Sequence, residues 1–182
     1  MEIREETAAD QAAVRRVHES AFGAEGEKVA GLDDALREAD GGTWGLSLVA
    51  EVEGAVAGHV RFGTALLDAP KRLVEVALLS PLGVLPELQG RGIATALVER
   101  GLAVLEARGA PLVFLEGDPG YYARLGFEAG GDFGFRKPSL RIPDAAFQVY
   151  PLAGYEPWMT GTLVYPHLFW DRDSVGLRDP SV

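Results

Sequence analysis

The chain has 182 residues, 47% of them apolar and 24% charged, with a formal net charge of −10 and no cysteine. At roughly 150 residues per domain that length supports a single domain, and the apolar share is that of a folded globular chain, not a disordered one. A disulfide scaffold, thiolate metal ligation and a cysteine nucleophile are excluded, and the acidic excess repels a phosphate backbone, so general nucleic-acid binding is not expected.

The charge is uneven. Residues 1–40 hold eleven acids and five bases, a net of −6, against sixteen and twelve, a net of −4, in the other 142 residues. A cationic partner or substrate suits such a field. The longest nearly apolar run, 76–86, is broken by Ser80, Pro81 and Gly83, well short of the ~20 residues of a membrane helix. No basic, apolar leader follows Met1. A cytoplasmic location and no membrane association are therefore expected.

A short strand around Ile3 leads to Thr7 and Asp10, a cap and first-turn acid for a helix running to about Phe22. Gly23 and Gly26 separate it from a second helix over 27–39, which Gly41 and Gly42 end. Strands follow over 46–52, 55–66 and 73–85, joined by turns at Glu53-Gly54 and Asp68-Ala69-Pro70. Pro81 lies inside the third strand, where proline removes a ladder donor, so a bulge is expected at Ser80-Pro81. Ile93, Leu97, Val98, Leu102 and Leu105 then recur at helical spacing up to Gly109. A strand over 112–115, a helix over 121–125 and a strand from Phe127 complete the central part. The proline-rich segment from Pro138 carries two more strands, 147–150 and 162–165. The order β, α, α, an antiparallel meander, then β-α-β-α-β defines a mixed α/β fold.

The chemistry concentrates in Val84-Leu85-Pro86-Glu87-Leu88-Gln89-Gly90-Arg91-Gly92-Ile93-Ala94-Thr95. A strand ends, two glycines turn the chain, and a helix begins. The first amides of a helix lack internal acceptors, the dipole adds positive potential there, and glycines let a ligand approach the backbone, so this segment suits a pyrophosphate. Arg91 can add a charged bond from the rim. A Walker loop requires Gly-Lys, which is missing, and a dinucleotide fingerprint requires glycine or alanine where Thr95 stands. The remaining pattern, Q/R-x-x-G-x-G/A, is met by Gln89, Gly92 and Ala94.

On these residues the chain resembles the GNAT superfamily of N-acetyltransferases. Tyr122-Ala123-Arg124-Leu125-Gly126-Phe127 is similar to the family's Y-x-x-x-G-F, and Gly58-His59-Val60 with 161–166 resembles a bacterial subgroup of unknown substrate. The resemblance covers nearly the whole chain. It implies one domain over 1–182, of which about 138–182 is a subgroup-specific extension, and a mixed central sheet with a splayed strand pair at the acyl-CoA site. Acetyl-CoA would be the co-substrate, with no metal and a primary amine of a small molecule or peptide as acceptor. Leu82 and Val84 would bind the pantetheine arm through their backbone, and Gln89, Gly90, Arg91, Gly92, Ile93, Ala94 and Thr95 would cradle the pyrophosphate. Tyr122 would contact the cofactor and protonate the departing thiolate, whose ordinary pKa lies about 1.5 units below that of a phenol.

The base is open. Some relatives carry a Glu eleven residues before the motif, where this chain has Leu78. Glu116, Asp118 and His59 are the alternatives; the histidines at 18, 59 and 167 show no ligand spacing. A GNAT-like module that binds acyl-CoA without turnover is the reading from another functional class. A homodimer is left open.

Overall fold

The computed structural model describes residues 1–179 and residue 181. Its residues group into two compact units, Met1–Gly63 with Leu79–Arg108, and Thr64–Leu78 with Gly109–Val182. Among the described residues no helix is long and apolar enough to cross a membrane.

In the first unit, β1 (Glu2–Glu5) pairs antiparallel with β2 (Leu46–Val52), and β2 with β3 (Ala55–Asp68). Helices α1 (Gln11–Ala21) and α2 (Gly26–Glu38) pack on each other. The expected cap is present. The backbone N–H and hydroxyl of Thr7 both donate to Asp10 Oδ2 at 2.8 Å, and Arg4 grips the same carboxylate at 2.8 and 2.9 Å. Capping satisfies donors that the first turn cannot satisfy itself, here after a short 3-10 turn over Ala8–Asp10. Strand β3 alternates its faces. Its Gly58 and Phe62 meet α3 (Ile93–Arg108), whereas His59 and Arg61 meet α1 and α2. The later part of β4 (Leu73–Val84) lies in this unit, running through Pro81 with the Ser80–Pro81 peptide cis.

In the second unit, β5 (Leu112–Glu116) pairs parallel with β4 only at Ala77↔Val113 and Leu78↔Phe114, and antiparallel with β8 (Phe147–Pro151) along its length. The end of β3 pairs with β9 (Gly161–Val164). An aromatic core forms from Phe114, Phe135 and Phe147, with ring centroids 5.0 and 5.7 Å from Phe114.

The elements differ from expectation where local contacts decide. The helix expected from 121 starts earlier, as α4 (Pro119–Tyr122), because Asp118 accepts a bond from the Gly120 N–H at 2.8 Å. The strand expected from Phe127 shrinks to β6 (Glu128–Ala129), because Gly130, packed where the Phe147 ring leaves no space for a Cβ, starts a 3-10 turn. A two-residue β7 (Phe135–Arg136) and a short α5 (His167–Asp171) have no counterpart in the sequence pattern.

Candidate functional site

The first candidate is the turn into α3. After β4 the chain makes a 3-10 turn over Pro86–Leu88, and Gly90 and Gly92 then take φ values of +74° and +80° before α3 begins at Ile93. Side-chain-bearing residues resist that left-handed region. Nothing stands within 4 Å of where a Cβ would be at either glycine, so the backbone there faces open space. Ile93 is buried and fixes the helix start, while Ala94 and Thr95 are half-buried on its first turn. Gln89 Nε2 donates to the Val84 carbonyl at 3.0 Å, tying the turn to the end of β4. Arg91 is exposed at the rim, with only a long 3.4 Å bond to the Glu87 carbonyl. Leu82 is half-buried and Val84 buried, with Gly83 between them.

A second cluster lies in the same unit and is not legible as a group in the sequence. His18 Nε2 and His59 Nδ1 stand 2.7 Å apart, His59 Nε2 lies 2.8 Å from Ser47 Oγ, and the Ser47 hydroxyl donates to Glu6 Oε2 at 2.5 Å. Arg61 donates to Asp33 at 2.6 Å and to Glu6 at 2.8 Å, and Arg37 donates to Asp33 at 2.7 Å. Burial alone would raise the Glu6 carboxyl, but His59, Ser47 and Arg61 together hold it well below the usual range. Asp33, also buried, is lowered by Arg61. Burial first, and then neighbouring His59, lowers the His18 imidazole to about 3.

The histidines show no ligand spacing in the sequence, yet His18 and His59 come together, while His167 pairs with Asp171 at the surface. His18, Asp33 and His59 offer three atoms within 4.8 Å of one another. His18 Nε2 and His59 Nδ1 are nevertheless bonded to each other, and the Asp33 carboxylate to two arginines. A cation placed there would compete with the guanidinium groups, so we assign hydrogen bonding to this cluster, not metal ligation.

The hydrogen positions follow from the network. An ionised Glu6 only accepts, so the Ser47 hydrogen is directed to it and the serine oxygen accepts from His59 Nε2–H. With that hydrogen on Nε2, His59 Nδ1 accepts from His18 Nε2–H. His18 Nδ1 remains as a bare acceptor, fully buried and without a hydrogen-bond partner.

The other expected residues belong to the second unit. Tyr122 is half-buried and packs against Tyr121 and Phe127, ring centroids 4.9 and 5.6 Å away, and burial pushes its phenol up. Glu116 accepts from the Tyr165 hydroxyl at 3.3 Å and is raised by burial. Asp118 is exposed and occupied as the cap of α4.

A family described as "Acetyltransferase (GNAT) domain" matches residues 2–130. The uncharacterized N-acetyltransferase YjhQ of Escherichia coli (strain K12) is 36% identical over 156 residues, 84% of either chain. A crystal structure of the GNAT family N-acetyltransferase YhbS from Escherichia coli, in complex with CoA, superposes with a TM-score of 0.83 at 30% identity, covering 97% of this chain and 95% of that one. A GNAT family acetyltransferase from Brucella melitensis, in complex with acetyl-CoA, gives 0.73 at 36% identity, covering 92% and 97%.

Proposed function

The chain belongs to the GNAT acetyltransferase family, and from that premise we propose that it binds acetyl-CoA at the 89–95 turn and transfers the acetyl group to a primary amine. The observation that carries this reading is the pair of left-handed glycines, Gly90 and Gly92, open to solvent immediately ahead of α3. A helix N-terminus and its dipole favour a pyrophosphate there. In the two relatives described above, CoA and acetyl-CoA are the bound molecules. We assign one acetyltransferase domain to 1–182, with the segment from about 138 as its subgroup-specific extension, and place it in the cytoplasm.

Backbone groups of Leu82 and Val84 hold the pantetheine arm, with an N–H near Val84 facing the developing oxyanion. The Val84 carbonyl is already taken by Gln89, which leaves the N–H side of that strand end for the ligand. Tyr122 keeps its proton, because burial pushes the phenol up, and serves the departing sulfur as donor. With no cysteine in the chain, no acyl-thiol enzyme forms, and amine and acetyl-CoA meet in one ternary complex. The surplus of acids suits a cationic acceptor, a small amine or a peptide amine.

Titration calorimetry with acetyl-CoA on the wild type and on Gly92→Val tests the cofactor site. A side chain at Gly92 would occupy the open approach and strain the turn, so binding should be lost. Undiminished affinity in a folded Gly92→Val protein would overturn the assignment.

A further inference from the structure

The stretch that follows α5 in the second unit closes on itself. Asp173 takes φ +49°; its N–H donates to the Trp170 carbonyl at 3.1 Å, and the Ser174 N–H donates to the Phe169 carbonyl at 2.7 Å. These two bonds are the Schellman form of helix end, in which a left-handed residue turns the chain back. Five residues on, the Arg178 guanidinium returns to the Asp173 carboxylate at 2.8 Å. Residues 173–178 thus form a loop whose two ends are bonded to each other.

Its seat is built from Val175, Arg141 and Glu116. Val175 is fully buried, whereas Leu177 is 69% exposed. The Arg141 guanidinium donates to the Val175 carbonyl, and the Leu177 N–H donates to the Arg141 carbonyl at 3.1 Å. Gly176, at φ +61°, passes so close that a Cβ there would stand 2.7–2.9 Å from the Arg141 backbone and Cβ. The Gly176 N–H is bonded to the Glu116 carboxylate, which also accepts from the Tyr165 hydroxyl at 3.3 Å. The seated loop therefore covers Glu116 and fills part of its capacity to accept hydrogen bonds.

We propose that residues 173–178 are an autoinhibitory loop, which lifts as one unit and, while seated, closes Glu116 to incoming amines. Because its ends stay joined by Asp173 and Arg178, the loop can leave without unravelling α5. An opening that breaks so few contacts costs less than global unfolding. Lifting would uncover a carboxylate next to Gly117, and the Tyr122 ring lies against Gly117, with Cε2 2.6 Å from where a Cβ would be. All these residues belong to the second unit. The effect on turnover rests on the acetyl-transfer reading; the opening of the loop does not.

Carboxyl labelling with a carbodiimide and glycine ethyl ester, itself a primary amine, tests the cover directly by mass spectrometry. Wild-type Glu116 should label about tenfold more slowly than exposed Asp118, and should gain about tenfold in Gly176→Ala, whose methyl group cannot be seated against Arg141. Hydrogen exchange on the wild type should show the Gly176 and Leu177 amides opening about tenfold faster than those of β5. Exchange at the β5 rate would overturn the loop as a separate unit. So would Glu116 labelling that stays at the wild-type rate when Gly176→Ala frees those two amides. If Gly176→Ala also loses β5 protection, Arg141→Ala takes its place with the same expectations. With acetyl-CoA affinity intact, the lifted variant should release thiol several-fold faster with a panel of primary amines, and adding Glu116→Gln should cancel that gain. Faster labelling without faster turnover overturns the inhibition alone. A wild-type protein that does not bind acetyl-CoA overturns the cofactor reading instead and leaves the opening of the loop standing.

Discussion

Phe62 of β3 occupies the space in which a Cβ at Gly101 of α3 would stand, its Cε2 and Cζ lying on that position. The helix therefore rests its bare backbone on an aromatic ring, and this contact sets the height at which α3 begins at Ile93. Gly101→Ala should overpack the site and lower stability by about 1–3 kcal/mol in denaturant melts. Phe62→Leu makes room, so the double variant should lose less than the two single losses added together. Such coupling between touching residues runs to about 0.5–3 kcal/mol.

Arg91 is exposed and only weakly bonded to the chain, so its removal should leave the melting temperature unchanged. If its guanidinium meets a phosphate, Arg91→Ala should weaken acetyl-CoA binding by about 1.5–3 kcal/mol, roughly 10- to 100-fold. Calorimetry at two ionic strengths checks both the size and its electrostatic origin, since the variant's affinity should depend less on salt.

Much of this turn is legible in the sequence, because glycines, a helix start and the Gln89 position are local signals contained within twelve residues. The Thr7 and Asp10 cap is legible for the same reason. The polar cluster is not. Its members, Glu6, His18, Asp33, Ser47, His59 and Arg61, come from five segments of the chain, only His59 and Arg61 sharing a strand, and only folding makes neighbours of His18 and His59, 41 residues apart. A signal is nevertheless present. His18 falls on the helical stripe of Val14 and Val17, and Asp33 stands beside Leu32 among core positions of α2. Polar residues at core-facing positions must find partners. Strands β6 and β7, two residues each, exist only through pairing with β8 and β9, so no local pattern could reveal them.

Tyr122→Phe keeps the ring and its packing on Phe127 and removes only the hydroxyl. Thermal stability and acetyl-CoA affinity should hold, while kcat falls about 10²–10⁴-fold. Tyr121→Phe is the control and should cost little. A melting temperature that drops along with the rate would mark the hydroxyl as structural instead.

Acid should destabilise the protein well before its carboxylates are neutralised. His18 titrates near 3 when folded against about 6.5 when unfolded. The unfolded chain thus binds the proton first, and stability present above about pH 6.5 is lost as pH falls towards 3. The slope is at most about 1.4 kcal/mol per pH unit. Glu6 and Asp33, both held below their ordinary values, add losses of the same sign once pH falls through the usual carboxylate range. Urea melts at about pH 7.5, 6 and 5 should show the decline, and His18→Leu should flatten it between the first two.

Glu6 and Asp33 are matched by Arg37 and Arg61, so this buried cluster is electrically silent at a distance. The whole surplus of ten negative charges is then carried by the remainder of the chain. Acetyl-CoA, itself a polyanion, approaches against that field, and a protonated amine approaches along it. Added salt screens both over about 10 Å at 0.1 M. The two ligands' association rates should therefore respond to ionic strength in opposite directions, acetyl-CoA arriving faster and the amine more slowly as salt rises.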